Sequence, residues 1–376
     1  MSTLRAAQAA LVALLAGCAG APDCLEPGDI CTVVGTGAAG FNGDGNPPLE
    51  SDLYRPISVT FDAAGAMYFL DWNNHRLRVI DGDGLVQTAV GSLIPGDGPQ
   101  DGREEGDGAP GHEVPMNHPT DLAWAGDQLL LAVWHNHKIR AYDPASHLVT
   151  IVAGSEPGFA GDGEDAATAL LEYPGAVEVD PEGRIWVVDN DNGRLRVIED
   201  GVIQTVVGSG TLGFNGDGRP LLETDLGLPP GRGEGFEPGG GIAIDDDGIV
   251  WLAESLTHRV RRIDVVAGDI TTIAGTGEPG WDGDGAGAAV DYPHDVAIGP
   301  DGGLWFSDSH NHRVRRVVDG EVETMVGSGE EDFAGDGGPA LEAAMGRPAG
   351  LAFDAEGHLY IADQDNHRIR KVLRTW

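Results

Sequence analysis

One pattern occurs six times along this chain. Its fullest form is Gly-Asp-Gly, a short Leu/Ala-rich stretch, a proline, an apolar strand, a glycine, and a second strand that ends in a polar turn. The turn is clearest in Asp71–Arg76, Asp308–Arg313 and Asp363–Arg368, with looser copies from Trp134 to Lys138, Asp189 to Arg194 and Glu254 to Arg259. Self-similarity of this kind is typical of repeat folds, in which each unit packs on its neighbours.

Each unit is predicted to form four short antiparallel strands. In the first unit Ile57, Val59 and Phe61 alternate with Ser58 and Thr60, and tight Gly/Asp turns separate the three further strands. Such a sheet has two apolar faces that it cannot cover alone, so it must stack on like sheets.

The innermost strands are each opened by a proline, which gives six units: Pro56, Pro119, Pro174, Pro238, Pro293 and Pro348. The chain begins with an unpartnered strand, Cys31 to Gly35, and ends after only a third strand, His367 to Leu373. We therefore expect the first strand to complete the last unit as its outer strand. Closure of this kind removes exposed sheet edges.

The Asn-His turns resemble the NHL repeat, and the resemblance extends from Cys31 to the C-terminus. It implies an all-β, six-bladed β-propeller of four-stranded antiparallel blades, similar to NHL and TolB-like propellers. The 59 glycines and 23 prolines then fall in turns between strands.

Charge restricts the partners. Acidic residues outnumber basic ones 61 to 23, and the formal net charge is −38. Such a chain repels phosphate backbones and anionic lipid surfaces, and no Lys/Arg cluster is visible. Nucleic acid is therefore not an expected partner, although some NHL proteins bind RNA.

The N-terminus indicates export. Arg5 precedes the short apolar run Ala9 to Ala16, which is typical of a secretion signal. The run ends in Leu15-Ala16-Gly17-Cys18, which is similar to the lipobox of bacterial lipoproteins, and the resemblance implies acylation of Cys18. An ordinary cleaved signal is the alternative. We expect a signal peptide at 1–17, an anchored tether at 18–30 and the propeller at 31–376, in the bacterial cell envelope and at the outer membrane.

The two remaining cysteines, Cys24 and Cys31, can pair in an oxidising compartment. A structural disulfide just before the first strand is the prediction. No further cysteine exists to complete a metal set.

Equivalent residues of different blades lie far apart at the outer radius. The histidines of the turn recur as His75, His137, His258, His312 and His367, with Gly193 in the third unit. Zinc needs three or four ligands around one ion, so we interpret these histidines as hydrogen-bonded turn residues. The arginine after each histidine is expected to pair, at an exposed rim, with the acidic residue that opens the turn.

The Gly-Asp-Gly aspartates form a second repeated set: Asp44, Asp107, Asp162, Asp217, Asp284 and Asp336. Their spacing does not match an EF-hand loop, which favours tight turns whose carboxylates accept backbone N–H groups. Irregular calcium sites at Asp44, Asp162, Asp217, Asp284 and Asp336 remain an open alternative. A divalent cation, calcium, is accordingly the candidate cofactor.

Only the starts of the innermost strands lie close enough to the axis to act together. These are Ile57-Ser58, Thr120-Asp121, Gly175-Ala176, Gly239-Gly240, His294-Asp295 and Ala349-Gly350. Asp121, His294 and Asp295 are the candidates for a small polar ligand or a cation. Pro293-His294 is similar to the Pro-His at which amidating lyases of this propeller class bind zinc, but those enzymes need such a histidine in several blades. A solvated channel mouth is the alternative.

Two function classes follow. The first is a non-enzymatic, lipid-anchored scaffold that binds a protein, peptide or glycan through the face carrying the long connections Leu93 to Pro115 and Leu212 to Pro238. The second is a divalent-metal-dependent lyase or hydrolase with its site at the axial channel. No nucleophile with a base can be assembled from the inner-strand starts, which favours the first class.

Overall fold

Six antiparallel sheets surround a common axis in the computed structural model, which describes residues 24–92, 108–232 and 237–376. Each sheet is one blade, and its strands follow one another from the axis outward. The predicted all-β, six-bladed propeller is confirmed.

The strands, in chain order, are β1 Asp29–Val34, β2 Pro56–Phe61, β3 Met67–Asp71, β4 Arg76–Ile80, β5 Val86–Val90, β6 Ala109–Pro110, β7 Pro119–Ala125, β8 Gln128–Val133, β9 Lys138–Asp143, β10 Leu148–Ala153, β11 Glu164–Asp165, β12 Pro174–Val179, β13 Ile185–Asp189, β14 Arg194–Glu199, β15 Val202–Val207, β16 Ile242–Ile244, β17 Val250–Glu254, β18 Arg259–Asp264, β19 Asp269–Ala274, β20 Pro293–Ile298, β21 Leu304–Asp308, β22 Arg313–Val318, β23 Glu321–Val326, β24 Gly338–Pro339, β25 Pro348–Phe353, β26 Leu359–Asp363 and β27 Arg368–Val372.

Helical structure among the described residues is limited to single 3-10 turns. They are Pro48–Glu50, Trp72–Asn74, Gly111–Glu113, Trp134–Asn136, Ala166–Thr168, Leu221–Glu223, Ser255–Thr257, Ser309–Asn311, Ala340–Glu342 and Gln364–Asn366. Within that part of the chain, no helix is long and apolar enough to cross a membrane.

The chain closes its own ring. Strand β1 pairs antiparallel with β27, with Ile30 opposite Val372 and Cys31 opposite Lys371. The sixth blade therefore has the order β24-β1-β27-β26-β25, and the outer strand of the last blade comes from the start of the chain. This arrangement confirms the closure predicted from the unpaired first strand.

Short segments after the Gly-Asp-Gly loops cover three of the outer edges. Strand β6 pairs with β10, β11 with β15, and β24 with β1. An exposed strand edge is a template for aggregation, so this cover protects the blades.

The apolar core lies between neighbouring blades. Between the sixth and first blades, Tyr360 and Ile369 pack with Val59, Phe69 and other buried side chains. Burial of each such side chain contributes about 1.5–3 kcal/mol. Because each blade contributes apolar residues to both neighbours, the blades are stable only as a ring.

The turn histidines join each blade to the next. Each described one has the left-handed φ of a turn residue and accepts, through Nδ1, the backbone N–H of the residue before the next blade's innermost strand. The pairs are His75 with His118 at 3.0 Å, His137 with Tyr173 at 3.2 Å, His258 with Tyr292 at 3.1 Å, His312 with Arg347 at 3.4 Å and His367 with Arg55 at 3.2 Å. We call this contact the histidine latch. It agrees with the interpretation of these histidines as hydrogen-bonded turn residues.

The joint between the third and fourth blades has no histidine latch. Gly193 replaces the histidine, and the residue in the donor position is Pro238, which has no N–H. The innermost strand of the fourth blade, β16, has three residues, whereas the innermost strand of every other blade has five or more. Ala253 N–H donates to Gly241 O, which places Gly239 rather than Pro238 in register with the other opening prolines. The predicted start of this strand is thus wrong by one residue.

Cys24 and Cys31 form a disulfide with a Cα–Cα distance of 5.6 Å. The bond ties the chain just before β1 to β1 itself. The predicted signal peptide at 1–17 and residues 18–23 of the predicted tether, including Cys18, lie outside the described residues.

Candidate functional site

A narrow cavity lies on the propeller axis. It is lined by the starts of the innermost strands, namely Ile57, Ser58, Thr120, Asp121, Gly175, Ala176, Gly239, Gly241, His294, Asp295 and Gly350. Only about 10 Å³ is open to the centres of water-sized molecules, which is about the space that one ordered water needs. The candidates Asp121, His294 and Asp295 therefore do share one cavity, and it has room for a water or a single ion rather than an organic ligand.

The carboxylate of Asp121 connects three blades. Its Oδ1 accepts from Ser58 Oγ of the first blade at 3.3 Å, and its Oδ2 accepts from Val177 N–H of the third blade at 3.1 Å. Burial raises the pKa of Asp121 to about 7. The hydrogen bonds lower this pKa, but the effect of burial is larger. The Asp121 carboxylate therefore holds three blades together at the axis, and it is also a candidate ligand.

Asp295 has the same arrangement on the opposite side. Its Oδ1 accepts from Val296 N–H at 2.8 Å, and its Oδ2 accepts from Leu351 N–H of the sixth blade at 2.9 Å. Burial, and then the charge of Asp121, raise the pKa of Asp295 well above its usual range. The two carboxylates are therefore close enough to influence each other across the channel.

His294 differs from both aspartates. Its side chain is buried, with 8% of the residue exposed, and among the described residues neither ring nitrogen has a hydrogen-bond partner. Burial lowers its pKa to about 4, so the ring is neutral at pH 7 and offers one donor and one acceptor to the cavity.

A metal centre was tested on the same residues. Across residues 24–92, 108–232 and 237–376, no group of three or more His, Cys, Asp or Glu side chains is placed to hold a metal ion. Both aspartates direct their oxygens at backbone N–H groups of the adjoining blade. A cation at this point would need hydroxyl, carbonyl or water ligands in addition.

The Gly-Asp-Gly aspartates contact buried arginines. Five of these carboxylates each bond a fully buried guanidinium: Arg78 with Asp44 at 3.2 Å, Arg196 with Asp162 at 2.8 Å, Arg261 with Asp217 at 2.9 Å, Arg315 with Asp284 at 3.0 Å and Arg370 with Asp336 at 2.7 Å. Asp107 lies outside the described residues. A calcium ion at the five described aspartates would have to compete with these guanidinium groups.

The same arginines also pair with the acidic residue that opens the turn. The distances are 3.2 Å for Asp71 and Arg78, 3.5 Å for Asp189 and Arg196, 3.0 Å for Glu254 and Arg261, 2.9 Å for Asp308 and Arg315, and 3.3 Å for Asp363 and Arg370. The predicted pair with the arginine directly after the histidine is therefore wrong. The partner lies two residues further along the strand, on the same face, and both partners are buried rather than at an exposed rim.

The arginine directly after the histidine packs on an aromatic ring. Arg76 lies 4.0 Å from the centroid of Phe41, and Arg313 lies 4.2 Å from that of Trp281. Equivalent stacks join Arg194 to Phe159, Arg259 to Phe214 and Arg368 to Phe333. The sequence signal is an aromatic residue three positions before the repeated aspartate, which the repeat pattern alone did not single out.

Residues with strained backbone surround the channel mouth. The residue before each innermost strand has a left-handed φ of 51° to 60° wherever it is not proline: Arg55, His118, Tyr173, Tyr292 and Arg347. For a residue other than glycine this conformation costs about 1–2 kcal/mol. Such residues cluster at functional sites, and here the conformation also presents the N–H to the histidine latch.

One half of the mouth is ionic. Asp365 lies 2.5 Å from Arg55 and 3.2 Å from Arg347, and Arg347 also pairs with Glu237. Glu237 bonds His310 Nε2 at 2.9 Å through its other carboxylate oxygen. Burial raises the pKa of Glu237, but the hydrogen bond from His310 and the charge of Arg347 outweigh it and lower the pKa to about 2.

The other half of the mouth is aromatic. The ring of His118 lies 4.8 Å from Trp72 and 4.7 Å from His135, and Tyr173 lies 5.8 Å from Trp134. Burial, and then the charges of His75 and His135, lower the pKa of His118 to about 3. The mouth is thus bordered by a belt of side chains, with an ionic group on one side and an aromatic group on the other.

Both long connections predicted to shape this face are only partly described. Segments 93–107 and 233–236 lie outside the described residues. Glu237, at the end of the second connection, is described, and sequence reasoning did not single it out. No local pattern could have found it, because its partners belong to blades five and six.

This architecture defines a class: a six-bladed β-propeller closed by its own first strand, with a belt of polar and aromatic groups around a narrow axial channel. Within that class, the NHL repeat family matches residues 291–317 and 345–372, so the fifth and sixth blades carry NHL repeats.

Similar curated proteins have longer chains. The chain is 28% identical over 311 residues to SUPPRESSOR OF QUENCHING 1 of Arabidopsis thaliana, covering 78% of this chain and 28% of that protein. It is 26% identical over 370 residues to NHL repeat-containing protein 2 of Gallus gallus, covering 88% and 47%. The chain thus spans less than half the length of these two relatives.

Solved structures share the fold at low identity. An auxiliary nutrient binding protein from Bacteroides thetaiotaomicron superimposes with a TM-score of 0.64 at 17% identity, covering 91% of this chain and 75% of that one. A gluconolactonase from Xanthomonas campestris gives 0.54 at 15%, covering 94% and 97%. At these identities the likeness shows the fold alone.

Proposed function

We propose that this chain is an extracytoplasmic, lipid-anchored NHL-repeat propeller that works as a binding scaffold. Its binding surface is the face around the channel mouth, and its partner is a protein, peptide or glycan. The observation that carries the proposal is the belt of ionic and aromatic side chains on this face, above a cavity with room for about one water.

The belt has the features of a recognition surface. It combines aromatic rings and arginine side chains, which are among the types that dominate binding energy at interfaces, with carboxylate groups. It is held by contacts between blades, so it is rigid before a partner arrives. The fold neighbour described as an auxiliary nutrient binding protein supports binding as a use of this architecture.

The proposed envelope location rests on two features. The sequence up to Cys18 is similar to a lipobox, and Cys24 and Cys31 form a disulfide, as expected in an oxidising compartment. The net charge of −38 makes nucleic acid an unfavourable partner.

Site-specific photo-crosslinking tests the binding face. Leu256 and Val266 both belong to the fourth blade and are 43% and 101% exposed, but they lie in turns at opposite ends of its strands. A photoreactive residue at position 256 of the full-length protein, in cells, should give adducts, and one at position 266 should not. Equal adducts at both positions, or none at 256, would contradict a binding role for the mouth face.

Fractionation tests the anchor. Cys18→Ser should release the protein from the membrane fraction while the melting temperature of the propeller stays unchanged, because residue 18 precedes the described fold. Retention of the variant in the membrane would rule out the lipid anchor.

A second candidate function is a metal-dependent lyase or hydrolase at the axis. It is favoured by one observation, the buried and unpartnered ring of His294 beside Asp121 and Asp295. Metal analysis of the purified protein separates the two candidates. A stoichiometric divalent ion that is lost in His294→Ala and in Asp121→Ala would favour the enzyme over the scaffold.

A further inference from the structure

We propose that the channel mouth contains a carboxylate-binding subsite formed by Arg347 and His310, and that Glu237 of this chain occupies it as an internal ligand. The subsite lies on the proposed binding face and names the chemical class of group that this face takes, so it rests on the proposed function. The ligand it fits bears a carboxylate that replaces that of Glu237.

The contacts of Glu237 are those of a bound carboxylate ligand. One oxygen bonds the Arg347 guanidinium, and the other lies 2.9 Å from His310 Nε2. Its backbone carbonyl accepts the hydroxyl of Tyr292 at 2.6 Å. Charged hydrogen bonds of this kind are about twice as strong as neutral ones.

The position of Glu237 in the chain indicates that these contacts are not part of local blade geometry. Glu237 directly precedes the start of the fourth blade, but His310 and Tyr292 belong to the fifth blade and Arg347 begins the sixth. At other joints, the described Gly-Asp-Gly loops bond within their own blade, as Asp284 does with Arg315. Glu237 therefore reaches across the mouth to groups that the ring provides without it.

Glu237 completes the bonding of Arg347 and His310. Arg55 and Arg347 share Asp365, and Arg347 has Glu237 as its second carboxylate. Without Glu237, the Arg347 guanidinium would keep only the carboxylate that it shares with Arg55, and His310 would keep Asp291, 3.6 Å from its Nδ1. In a chain with a net charge of −38, the vacated Arg347 and His310 Nε2 would select for a carboxylate by short-range bonds rather than by long-range attraction.

An independent observation indicates a ligand at the same point. His294 lines the axial cavity below the mouth, is buried to more than nine-tenths, and has two ring nitrogens without partners among the described residues. His294 lies two residues after Tyr292, whose hydroxyl bonds the Glu237 carbonyl at 2.6 Å, so the start of this strand connects the subsite to the axial cavity.

Acetate and acetamide are suitable probes because they differ only in the charged group. In the wild-type protein Glu237 competes from within the chain at high effective concentration, so acetate should bind weakly. In Glu237→Ala the position is vacant, and acetate should bind about tenfold or more tightly than in the wild type, whereas acetamide should not. In Glu237→Gln the amide still fills the position, so this variant is the matched control and should resemble the wild type.

The titration is followed by melting temperature and by the ring NMR signal of His310, which reports binding at this site alone. Arg347→Met added to Glu237→Ala should abolish the gain in acetate affinity, and Tyr292→Phe should leave it intact. Glu237→Ser replaces Glu237→Ala if the alanine variant does not fold. The subsite is refuted if acetate binds the vacated variant no more tightly than the wild type, or if binding survives the loss of Arg347.

The two proposals can fail separately. Acetate uptake by Glu237→Ala without crosslinks at position 256 would leave the subsite in place and remove the scaffold function. Crosslinks at position 256 without acetate uptake would support the scaffold function and refute the subsite.

Discussion

The buried arginines show how one residue organises a blade. Arg315 bonds Asp308 of the turn at 2.9 Å and Asp284 of the preceding loop at 3.0 Å, and its side chain is fully buried. A buried ion pair adds little net stability, but removing one partner leaves an uncompensated charge. The arginine is therefore needed to hold the loop and the hairpin together.

Arg315→Met should lower the free energy of unfolding by about 3–5 kcal/mol, because it leaves Asp308 buried and unpaired. Asp284→Asn is the matched control, because the side chain of Asp284 is 47% exposed and its loss should cost only about 1 kcal/mol. Urea denaturation measures both. Adding Asp308→Asn to Arg315→Met should recover part of the loss, and equal costs for the two single variants would contradict this account.

The histidine latch predicts a dependence on pH. Burial lowers the pKa of His137 to about 4, with further lowering by His135, Lys138 and Arg232. Between about pH 6.5, the usual value in an unfolded chain, and pH 4, the unfolded state takes up a proton that the folded state does not. The contribution of His137 to stability is therefore complete above pH 6.5 and is lost as the pH falls toward 4.

His137→Asn removes this titration, and asparagine tolerates the left-handed turn position and can still accept the Tyr173 N–H. Over pH 6.5 to 4 the wild type should lose of order 2 kcal/mol more stability than the variant, after allowing for the partial exposure of the ring. The buried carboxylates titrate in both proteins and cancel in the difference. Parallel pH profiles of chemical denaturation would contradict the prediction.

At the scale of the strand, sequence patterns predicted what depends on near neighbours. The alternation of Ile57, Val59 and Phe61 specified an innermost strand, and the unpaired Cys31 to Gly35 specified closure with the last blade. The prediction failed where the register between two strands depends on how they pair in the folded protein. Pro238 resembles the other opening prolines in sequence, but pairing of Ala253 with Gly241 moves the strand by one residue.

The candidate site was less predictable than the strands. The axial cavity containing Asp121, His294 and Asp295 could be predicted, because rotation about the axis brings the starts of the innermost strands together. The role of Glu237 did not, because its contact with Arg347 joins residues 110 positions apart in sequence. The sequence also did not show which arginine pairs with the turn aspartate, because alternate residues of a strand share one face and both arginines lie on it.

Strand β1 is the element on which closure depends. Thr32 is held by Asp336 at 2.6 Å from its hydroxyl and 3.0 Å from its backbone N–H, and Ile30 and Val34 are completely buried. Deletion of residues 31–35 should expose the edge of β27 and abolish cooperative folding. The matched control replaces residues 31–35 with the sequence of residues 271–275, an equivalent outer strand, and should fold. A deletion variant that melts like the intact protein would contradict closure by β1.

At the scale of the whole molecule, the ring is not uniform. Five joints carry a histidine latch, and the joint between the third and fourth blades has Gly193 and Pro238 instead. Gly193 has no side-chain acceptor and Pro238 has no N–H to donate, so the joint leaves no N–H unsatisfied at this position. The same joint contributes Glu237 to the mouth, which links the exception in the ring to the proposed carboxylate subsite.

This joint should therefore open before the others. Hydrogen exchange measures it directly, because amides that exchange by local opening report the free energy of that opening. The amides of β16 should exchange faster than those of β25, which begins behind the latch of His312. His312→Ala removes that latch and should raise exchange in β25 toward the rate in β16, while β16 itself stays unchanged. Equal protection of β16 and β25 in the wild type, or no response of β25 to His312→Ala, would show that the latches do not set the order in which the ring opens.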